Sequence, residues 1–248
     1  EVDNSVSTLA GLYRDKGNLL EAEKFYLRSM GIRDNLIGMK NPMELMLAEG
    51  LNNLAMVRMT LGKYAESQPL LERALVIEEH QAGKEDPAIT ATLINLARVN
   101  LNQKSYPPAE AGLKRAIAIL EKAGGAEHPS LTPALTTLAE VYDRQGTFAS
   151  AEPLLKRAQG ILEKAGEPAY PHLASTLNSL GQHYLLQKKY AEAAPQLKRA
   201  LELAEKSLGP KHGLVADILE QQASLLKSTN HAAEAEALTA RARQIRGN

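Results

Sequence analysis

The residues of this chain best suited to acid–base or metal chemistry are its six histidines, because the sequence contains no cysteine. None of them belongs to a His-x-x-x-His pair or an HExxH word, either of which would place two ligands on one helix face. We therefore predict that the histidines lie in loops or cap helices, and that the chain has no catalytic residue, no metal site and no cofactor. The histidines are His80, His128, His172, His183, His212 and His231.

Hydrogen bonding to a ligand is indicated by polar residues that recur along the chain, each beside a position that is leucine in most of the repeats described below. An amide such as that of Asn53 or Asn95 both donates and accepts hydrogen bonds. Such a side chain suits contact with a peptide backbone, but it can equally bridge two neighbouring helices. The recurring polar residues are Thr8, Asn53, Asn95, Thr137, Ser179 and Gln221.

The elements that position these residues are repeats of 42 residues. An aromatic residue recurs at this spacing, at Tyr64, Tyr106, Phe148 and Tyr190. A fixed period of this size indicates one supersecondary unit stacked on copies of itself. Leucine and small-residue columns recur with the aromatic one at helical spacings, which predicts two helices in each unit. These columns are Leu54, Leu96, Leu138 and Leu180; Ala55, Ala97, Ala139, Gly181 and Ala223; and Leu71, Leu113, Leu155 and Leu197.

Proline and glycine mark the boundaries of the units. Proline stands where each first helix should begin, with Asp86 before Pro87 as a predicted N-cap. Glycine follows each second helix as a predicted left-handed C-cap. We predict one domain over residues 1–248 that contains six repeats, at approximately 2–38, 42–83, 87–125, 129–166, 171–209 and 213–247. The C-cap glycines are Gly38, Gly83, Gly125, Gly166 and Gly209.

The first and last repeats depart from the common pattern. Three additional residues between Pro42 and Asn53 predict almost one extra helical turn at the start of the second repeat. In the sixth repeat Gln222, Ala232 and Thr239 replace a leucine, the aromatic residue and a second leucine. Polar or small side chains at these positions are typical of a terminal cap, although an eroded last repeat would have the same appearance.

The composition excludes several classes of partner. The 248 residues are 44% hydrophobic and 23% charged, and 29 basic residues balance 29 acidic ones. The chain therefore lacks the excess of positive charge that nucleic-acid binding requires, and no run of about 18 apolar residues predicts membrane insertion. We expect a protein or peptide partner, or self-association. Because the sequence begins with Glu1 rather than Met, we expect a mature or trimmed fragment.

Segments such as Leu51-Asn52-Asn53-Leu54-Ala55 and Gly62-Lys63-Tyr64-Ala65-Glu66 resemble the tetratricopeptide repeat (TPR). The usual unit of that family has about 34 residues, and the longer unit seen here is similar to the repeats of kinesin light chain. The resemblance covers essentially the whole chain. It implies an all-α fold, a right-handed superhelical solenoid of six helix-turn-helix repeats with about twelve antiparallel helices.

In this family the first helices line a concave groove, and the second helices lie on the outer side. The resemblance therefore implies peptide contacts at positions along the first helices, which mix amide, apolar and charged side chains. The lysine of the carboxylate clamp found in chaperone-binding relatives is missing at these positions, so we do not expect binding to Hsp70 or Hsp90 tails. The predicted groove residues are Asn52, Asn53, Met56, Met59, Ile94, Asn95, Arg98, Leu101, Thr136, Thr137, Glu140, Asp143, Arg144, Asn178, Ser179, Gln182 and Leu185, with Leu186 beside the last.

An arginine column on the second helices has two interpretations. It could be a basic ladder for an acidic ligand, but we favour pairing of each guanidinium with a neighbouring carboxylate. For the whole chain, the favoured function is a non-enzymatic module that binds a peptide or protein segment in the groove. The alternatives are a self-associating structural scaffold and a regulatory or sensory module of a larger enzyme or transcription factor. The arginines are Arg28, Arg73, Arg115, Arg157, Arg199 and Arg241.

Overall fold

The computed structural model describes residues 2–34 and 42–247. Within these ranges the chain forms twelve α-helices and three short 3-10 turns, and no strand, so the predicted all-α fold is confirmed. The helices are α1 (Val2–Asp15), α2 (Leu19–Asp34), α3 (Pro42–Thr60), α4 (Tyr64–Ala82), α5 (Thr90–Asn102), α6 (Tyr106–Gly124), α7 (Thr132–Arg144), α8 (Phe148–Ala165), α9 (Tyr170–Leu186), α10 (Tyr190–Leu208), α11 (Gly213–Ser228) and α12 (Ala232–Arg246).

The chain comprises two compact units, Glu1–Ala123 and Gly124–Asn248. In the first unit α1 packs on α2 and α3 packs on α4; in the second, α7 packs on α8, α9 on α10 and α11 on α12. These contacts follow from the periodic leucine and alanine columns, because small residues at fixed places let two helix axes approach closely. No helix in the described residues is long and apolar enough to cross a membrane.

Each unit has its own core, and the columns read from the sequence supply much of it. In the first unit Leu54 and Ala55 are completely buried. In the second, Leu138 and Leu180 are 3% and 1% exposed. Burial of a leucine side chain contributes about 1.5–3 kcal/mol, so repetition of these columns stabilises every helix pair in the same way.

The starts of the first helices are capped as the sequence predicts, with one difference. Pro87 opens a three-residue 3-10 turn, and α5 begins only after it. The carboxylate of Asp86 accepts a hydrogen bond of 2.8 Å from the backbone N–H two residues ahead. His128 and His212 accept equivalent bonds of 3.3 and 3.1 Å, so the prediction that histidines cap helices is confirmed for these two.

The glycines that follow the second helices have the predicted positive φ, but they are not in the left-handed helical conformation. Gly83 has φ 101° and ψ 158°, and Gly166 has φ 75° and ψ −155°. This region combines a positive φ with an extended ψ and is essentially restricted to glycine. The chain therefore leaves these helices in an extended direction. The predicted cap at Gly38 lies outside the described residues.

The two atypical repeats are visible in the helix lengths and contacts. Helix α3 has 19 residues, whereas α5 has 13 and is preceded by a three-residue turn, so the extra turn predicted for the second repeat is present. In the last repeat Gln222 is half-buried, and its amide donates a 3.1 Å hydrogen bond to the carbonyl of Leu197. The guanidinium of Arg246 pairs with Asp217 and Glu220 on α11. The end of the second unit is therefore polar.

Candidate functional site

Successive first helices of the second unit enclose a small surface depression, which we call the α7–α9 depression. Six of the predicted groove residues line it, four from α7 and two from α9, together with the exposed Leu186 and the buried Leu155 at its base. Its volume is about 40 Å³. The six residues are Thr136, Glu140, Asp143, Arg144, Ser179 and Gln182.

The hydroxyl groups at the depression are oriented by the helices that carry them. Thr136 Oγ1 donates to the carbonyl of Thr132 at 2.9 Å, and Ser179 Oγ donates to that of Ser175 at 3.2 Å. Each hydroxyl oxygen therefore keeps its lone pairs for an incoming donor. Gln182 is exposed, and its amide can both donate and accept.

One of the two carboxylates at the depression is neutralised by a neighbouring cation. Arg144 Nη2 lies 2.7 Å from Glu140 Oε1, one helical turn away, and both side chains are more than two-fifths exposed. A pair of this exposure contributes about 0–1 kcal/mol. Arg144 can therefore exchange this partner for a ligand carboxylate at little cost.

The second carboxylate, that of Asp143, is held from beneath by a buried histidine. His183 is completely buried, and its Nδ1 lies 2.6 Å from Asp143 Oδ1. On the other side of the ring, the amide of Gln187 lies 2.7 Å from Nε2. Phe148 and Tyr184 contact the imidazole edge-on. His183 is thus neither in a loop nor at a helix cap, so the prediction for this histidine is wrong. It is also wrong for His172, which lies within α9, and for His80, which lies within α4.

Burial raises the pKa of Asp143, because removal from water disfavours the charged carboxylate. The hydrogen bond from His183 acts in the opposite direction, and the negative charge of Glu140 raises the pKa further. The carboxylate is therefore costly to keep ionised without a positive partner.

The predicted groove residues of the first unit have a different arrangement. Asn52 Nδ2 donates to Thr92 Oγ1 at 2.5 Å and to Glu78 Oε1 at 3.2 Å. Asn95 Nδ2 donates to Asn52 Oδ1 at 3.3 Å. Asn95 is only 9% exposed. Its side chain bridges α5 and α3, which is the structural alternative to contact with a peptide.

Glu78 belongs to this buried network, although a glutamate pair at positions 78 and 79 is typical of a solvated helix face. Thr92 Oγ1 donates to Oε1 of Glu78 at 3.0 Å, while Oε2 of Glu78 is buried without a hydrogen bond. Burial raises the pKa of Glu78, and the Thr92 hydrogen bond opposes that effect. The neighbouring Glu79 accepts from Arg115 at 2.6 Å instead.

The remaining predicted groove residues divide into buried and accessible side chains. Ile94, Leu101 and Thr137 are 7%, 1% and 4% exposed, and Thr137 Oγ1 donates to a carbonyl of its own helix, so these three side chains contribute to packing. Two residues are exposed, namely Met56 and Arg98. Four residues are half-buried, namely Asn53, Met59, Asn178 and Leu185. Oδ1 of Asn53 lies 3.5 Å from a guanidinium nitrogen of Arg14.

Asn178 occupies the position in α9 that Asn52 occupies in α3, but its carbonyl oxygen is not paired in the same way. Oδ1 of Asn178 is buried without a hydrogen bond. Oδ1 of Asn52 accepts from Asn95, and the position equivalent to Asn95 in the last repeat holds Gln221. The same atom in the same column is therefore paired in one unit and unpaired in the other.

Three of the six column arginines form ion pairs between second helices, as the favoured interpretation predicts, whereas Arg157 donates to the carbonyl of Ala126 at 2.5 Å. The pairs join residues that are 36 positions apart, and they stabilise the packing of neighbouring repeats. They are Arg115 with Glu79 at 2.6 Å, Arg199 with Glu163 at 2.6 Å, and Arg241 with Glu205. Among the described residues, no group of three or more histidine, aspartate or glutamate side chains is arranged to hold a metal ion.

A sequence-family model for the tetratricopeptide repeat matches residues 46–122, 90–164 and 172–247. No curated protein sequence matches the chain. Among solved structures, BtubC (BKLC) from P. vanneervenii is similar with 22% identity and a TM-score of 0.69, over 92% of this chain and 91% of that one. A kinesin light chain structure from Podosopora anserina, whose TPR-like repeats are nearly identical to one another, has 24% identity to this chain and a TM-score of 0.62, over 84% of this chain and 97% of that one. A Rap protein complexed with Competence and Sporulation Factor has 16% identity and a TM-score of 0.69, over 98% and 74%.

Proposed function

Because the chain belongs to the tetratricopeptide repeat family, we propose that it is a non-enzymatic protein-interaction module. Its ligand is an extended peptide or protein segment, bound in the groove lined by the first helices. The observation that carries this proposal is the α7–α9 depression, where six side chains predicted as ligand contacts converge from two successive first helices.

The chemistry of the depression suits an extended peptide. Thr136 and Ser179 offer acceptor oxygens to peptide N–H groups, and Gln182 offers a donor and an acceptor. Leu186 is 51% exposed and can contact an apolar side chain of the ligand. Polar contacts to the backbone give affinity, and pockets for alternate side chains give specificity. The similar Rap protein, whose structure is a complex with Competence and Sporulation Factor, supports a binding function for this fold.

The test uses the full chain to select binders from a displayed library of random short peptides. The affinity of a selected peptide is then measured by calorimetry. Gln182→Trp fills the depression from an exposed position and should weaken binding by about tenfold or more. The matched control is Gln244→Trp on the exposed face of α12, which should leave the affinity unchanged. Equal affinity of the two variants would place the ligand elsewhere, and selection of no peptide would contradict the proposed function.

Self-association is a second candidate, favoured by exposed leucines on α1 and α2. Leu12, Leu20 and Leu27 are 54%, 61% and 45% exposed. In later repeats the column of Leu12 holds Val57 and Val99, which are buried. We propose these exposed leucines as the surface through which two copies of the chain would associate. Light scattering would test it: Leu12→Ser with Leu20→Ser should convert an oligomer into a monomer, and a wild-type monomer at high concentration would contradict the idea.

A further inference from the structure

His183 stands in a column that is apolar in every other repeat, and Asp143 stands in a column that is apolar in three of the other five, where the first and last repeats have Arg14 and Lys227. The column of His183 holds Val57, Val99, Val141 and Leu225, all of which are buried. In the column of Asp143, the preceding and following repeats have Leu101 and Leu185. The helix pair therefore does not need a polar group at either position.

A buried polar pair of this kind is weak evidence for stability. Replacement of a buried ion pair by hydrophobic residues of similar volume is often neutral or stabilising. The repeats on either side use hydrophobic residues, which shows that the local backbone accommodates them. Retention of the pair is therefore better explained by what the Asp143 carboxylate contacts at the surface than by packing.

The geometry presents the Asp143 carboxylate to the α7–α9 depression. Its side chain is 8% exposed and lines the depression, while Oδ1 is held by His183 from the buried side. A neutral imidazole with its proton on Nδ1 satisfies both of its contacts, because Nε2 then accepts from Gln187. His183 favours the charged form of this carboxylate, and the negative charge of Glu140 disfavours it.

The charge and the size of the depression define the group that it would accept. The lining contains two carboxylates, Glu140 and Asp143, and one cation, Arg144, which pairs with Glu140. The partner of Asp143 is the ring of His183, which lies on its buried side. A volume of about 40 Å³ holds two or three water-sized groups, which corresponds to an ammonium group with its terminal methylenes. Lysine carries its charge as a compact point charge on a flexible apolar stem.

We propose that the α7–α9 depression binds a lysine side chain of the peptide ligand, with Asp143 as the anchor for the ammonium group and His183 as the positioning residue that orients Asp143. The inference rests on the proposed function and specifies one element of its ligand. The first helices of the other repeats lack a buried histidine at the equivalent position. This position therefore fixes the register of the peptide along the groove.

The experiment compares two synthetic peptides, a lysine-containing binder selected from the random library by the full chain and the same peptide with norleucine in place of lysine. Calorimetry with the wild-type chain should show about tenfold or more preference for the lysine peptide. Asp143→Asn keeps the shape of the side chain, and Asp143→Leu with His183→Val restores the apolar pattern of the neighbouring repeats. Both variants should bind the two peptides with nearly equal affinity.

The control variant is Glu163→Gln, which removes a carboxylate of α8 that pairs with Arg199, and it should keep the wild-type preference. The melting temperature of the double variant should equal or exceed that of the wild type. If the pair were only structural, the double variant would lose affinity for both peptides alike, and a preserved preference would overturn the proposal. A wild-type chain that selects peptides without preference for lysine would overturn it and leave the proposed function intact. Selection of no peptide would overturn both.

Discussion

A Cβ atom placed on Gly181 would lie 2.5 Å from Cγ of Leu197, closer than packed side chains approach each other. The same column holds alanine in all five other repeats, of which Ala10, Ala55 and Ala139 are completely buried. Helices α9 and α10 therefore approach more closely than the small-residue column alone predicts. Leu197 is itself completely buried, so it has little room to move away.

Gly181→Ala should lower the free energy of unfolding by up to about 2 kcal/mol, because overpacking costs about 1–3 kcal/mol and the gain in helix propensity is only about 1 kcal/mol. Denaturant titration followed by circular dichroism gives the measurement. Gly160→Ala in α8 is the control, since no atom would lie within 4 Å of its added Cβ. That variant should be more stable than the wild type. A stabilised Gly181→Ala would mean that α9 and α10 separate easily.

The helix pairs could be predicted from the sequence because the signals that define them are local. Leu138 and its counterparts recur at helical spacings, and their burial follows from that pattern alone. The pair of His183 with Asp143 could not be predicted in this way, because it joins residues 40 positions apart on different helices. A signal was nevertheless present, since histidine and aspartate interrupt two columns that are otherwise mainly apolar.

The groove residues were predicted from their position in the repeat. This explains why some of them meet at one depression and others do not. Thr136 and Ser179 occupy neighbouring first helices and meet at one depression. Asn95 occupies the same column as Ser179, but it donates to Asn52, whose amide reaches a threonine and a glutamate on adjacent helices. The position in the repeat determines the direction in which a side chain leaves the helix. Its partners depend on residues in the next repeat.

The carboxylate of Glu23 stabilises the contact between α2 and α3. It is 8% exposed and accepts from Arg58 at 2.9 Å and from Lys63 at 3.0 Å. Glu23→Gln should lower the free energy of unfolding at pH 7 by about 1–3 kcal/mol, because Lys63 loses this carboxylate and Arg58 keeps only the longer, 3.7 Å contact with Glu66. Thermal melts of the variant and the wild type should show this difference.

The pH dependence of that difference tests its cause. The hydrogen bond from Arg58 lowers the pKa of Glu23 below the ordinary value of 4.5. A carboxylate whose pKa is lowered by folding contributes stability above its unfolded pKa and loses it as pH falls through the lowered value. The melting curves of Glu23→Gln and the wild type should therefore converge only below pH 4.5. A difference that does not vary with pH would show that packing, and not charge, is responsible.

Glu78 should change the pH dependence of stability in the opposite direction to Glu23, because burial raises the pKa of Glu78. A carboxyl group whose pKa is raised by folding contributes its full stability below the ordinary value of 4.5 and loses it as pH rises through the raised pKa. Glu78→Gln keeps the oxygen that accepts from Asn52 and Thr92 and removes the charge. The variant should be more stable than the wild type at pH 7, and this advantage should disappear as pH falls towards 4.5.

The adjacent Glu79 provides the matched control for this measurement. Its carboxylate pairs with Arg115, and its side chain is 20% exposed. Glu79→Gln should lower the free energy of unfolding at pH 7 by up to about 1 kcal/mol, since it removes a partly exposed ion pair. Two neighbouring glutamates on one helix are thus expected to give changes of opposite sign. Stability changes of the same sign would contradict the assignment of Glu78 to a buried network.

Two lysines occupy a left-handed backbone conformation between the paired helices. Lys104 has φ 60° and Lys188 has φ 58°, whereas the equivalent positions of two other repeats hold Gly62 and Gly146, with φ 76° and 75°. The backbone N–H of each lysine donates to the carbonyl three residues earlier, at 3.0 and 2.9 Å, so the turn is the same in all of these repeats. Both lysine side chains are exposed.

Lys104→Gly and Lys188→Gly should each raise the free energy of unfolding by about 0.5–1 kcal/mol. The left-handed conformation costs a residue with a Cβ about 1–2 kcal/mol, which exceeds the extra conformational entropy of about 0.5–1 kcal/mol that glycine loses on folding. The two changes should add, because the lysines lie in different units of the chain. Gly146→Lys is the reverse substitution and should cost a similar amount. Denaturant titrations that show a loss of stability for both glycine variants would mean that the lysine side chains contribute contacts worth more than the backbone strain.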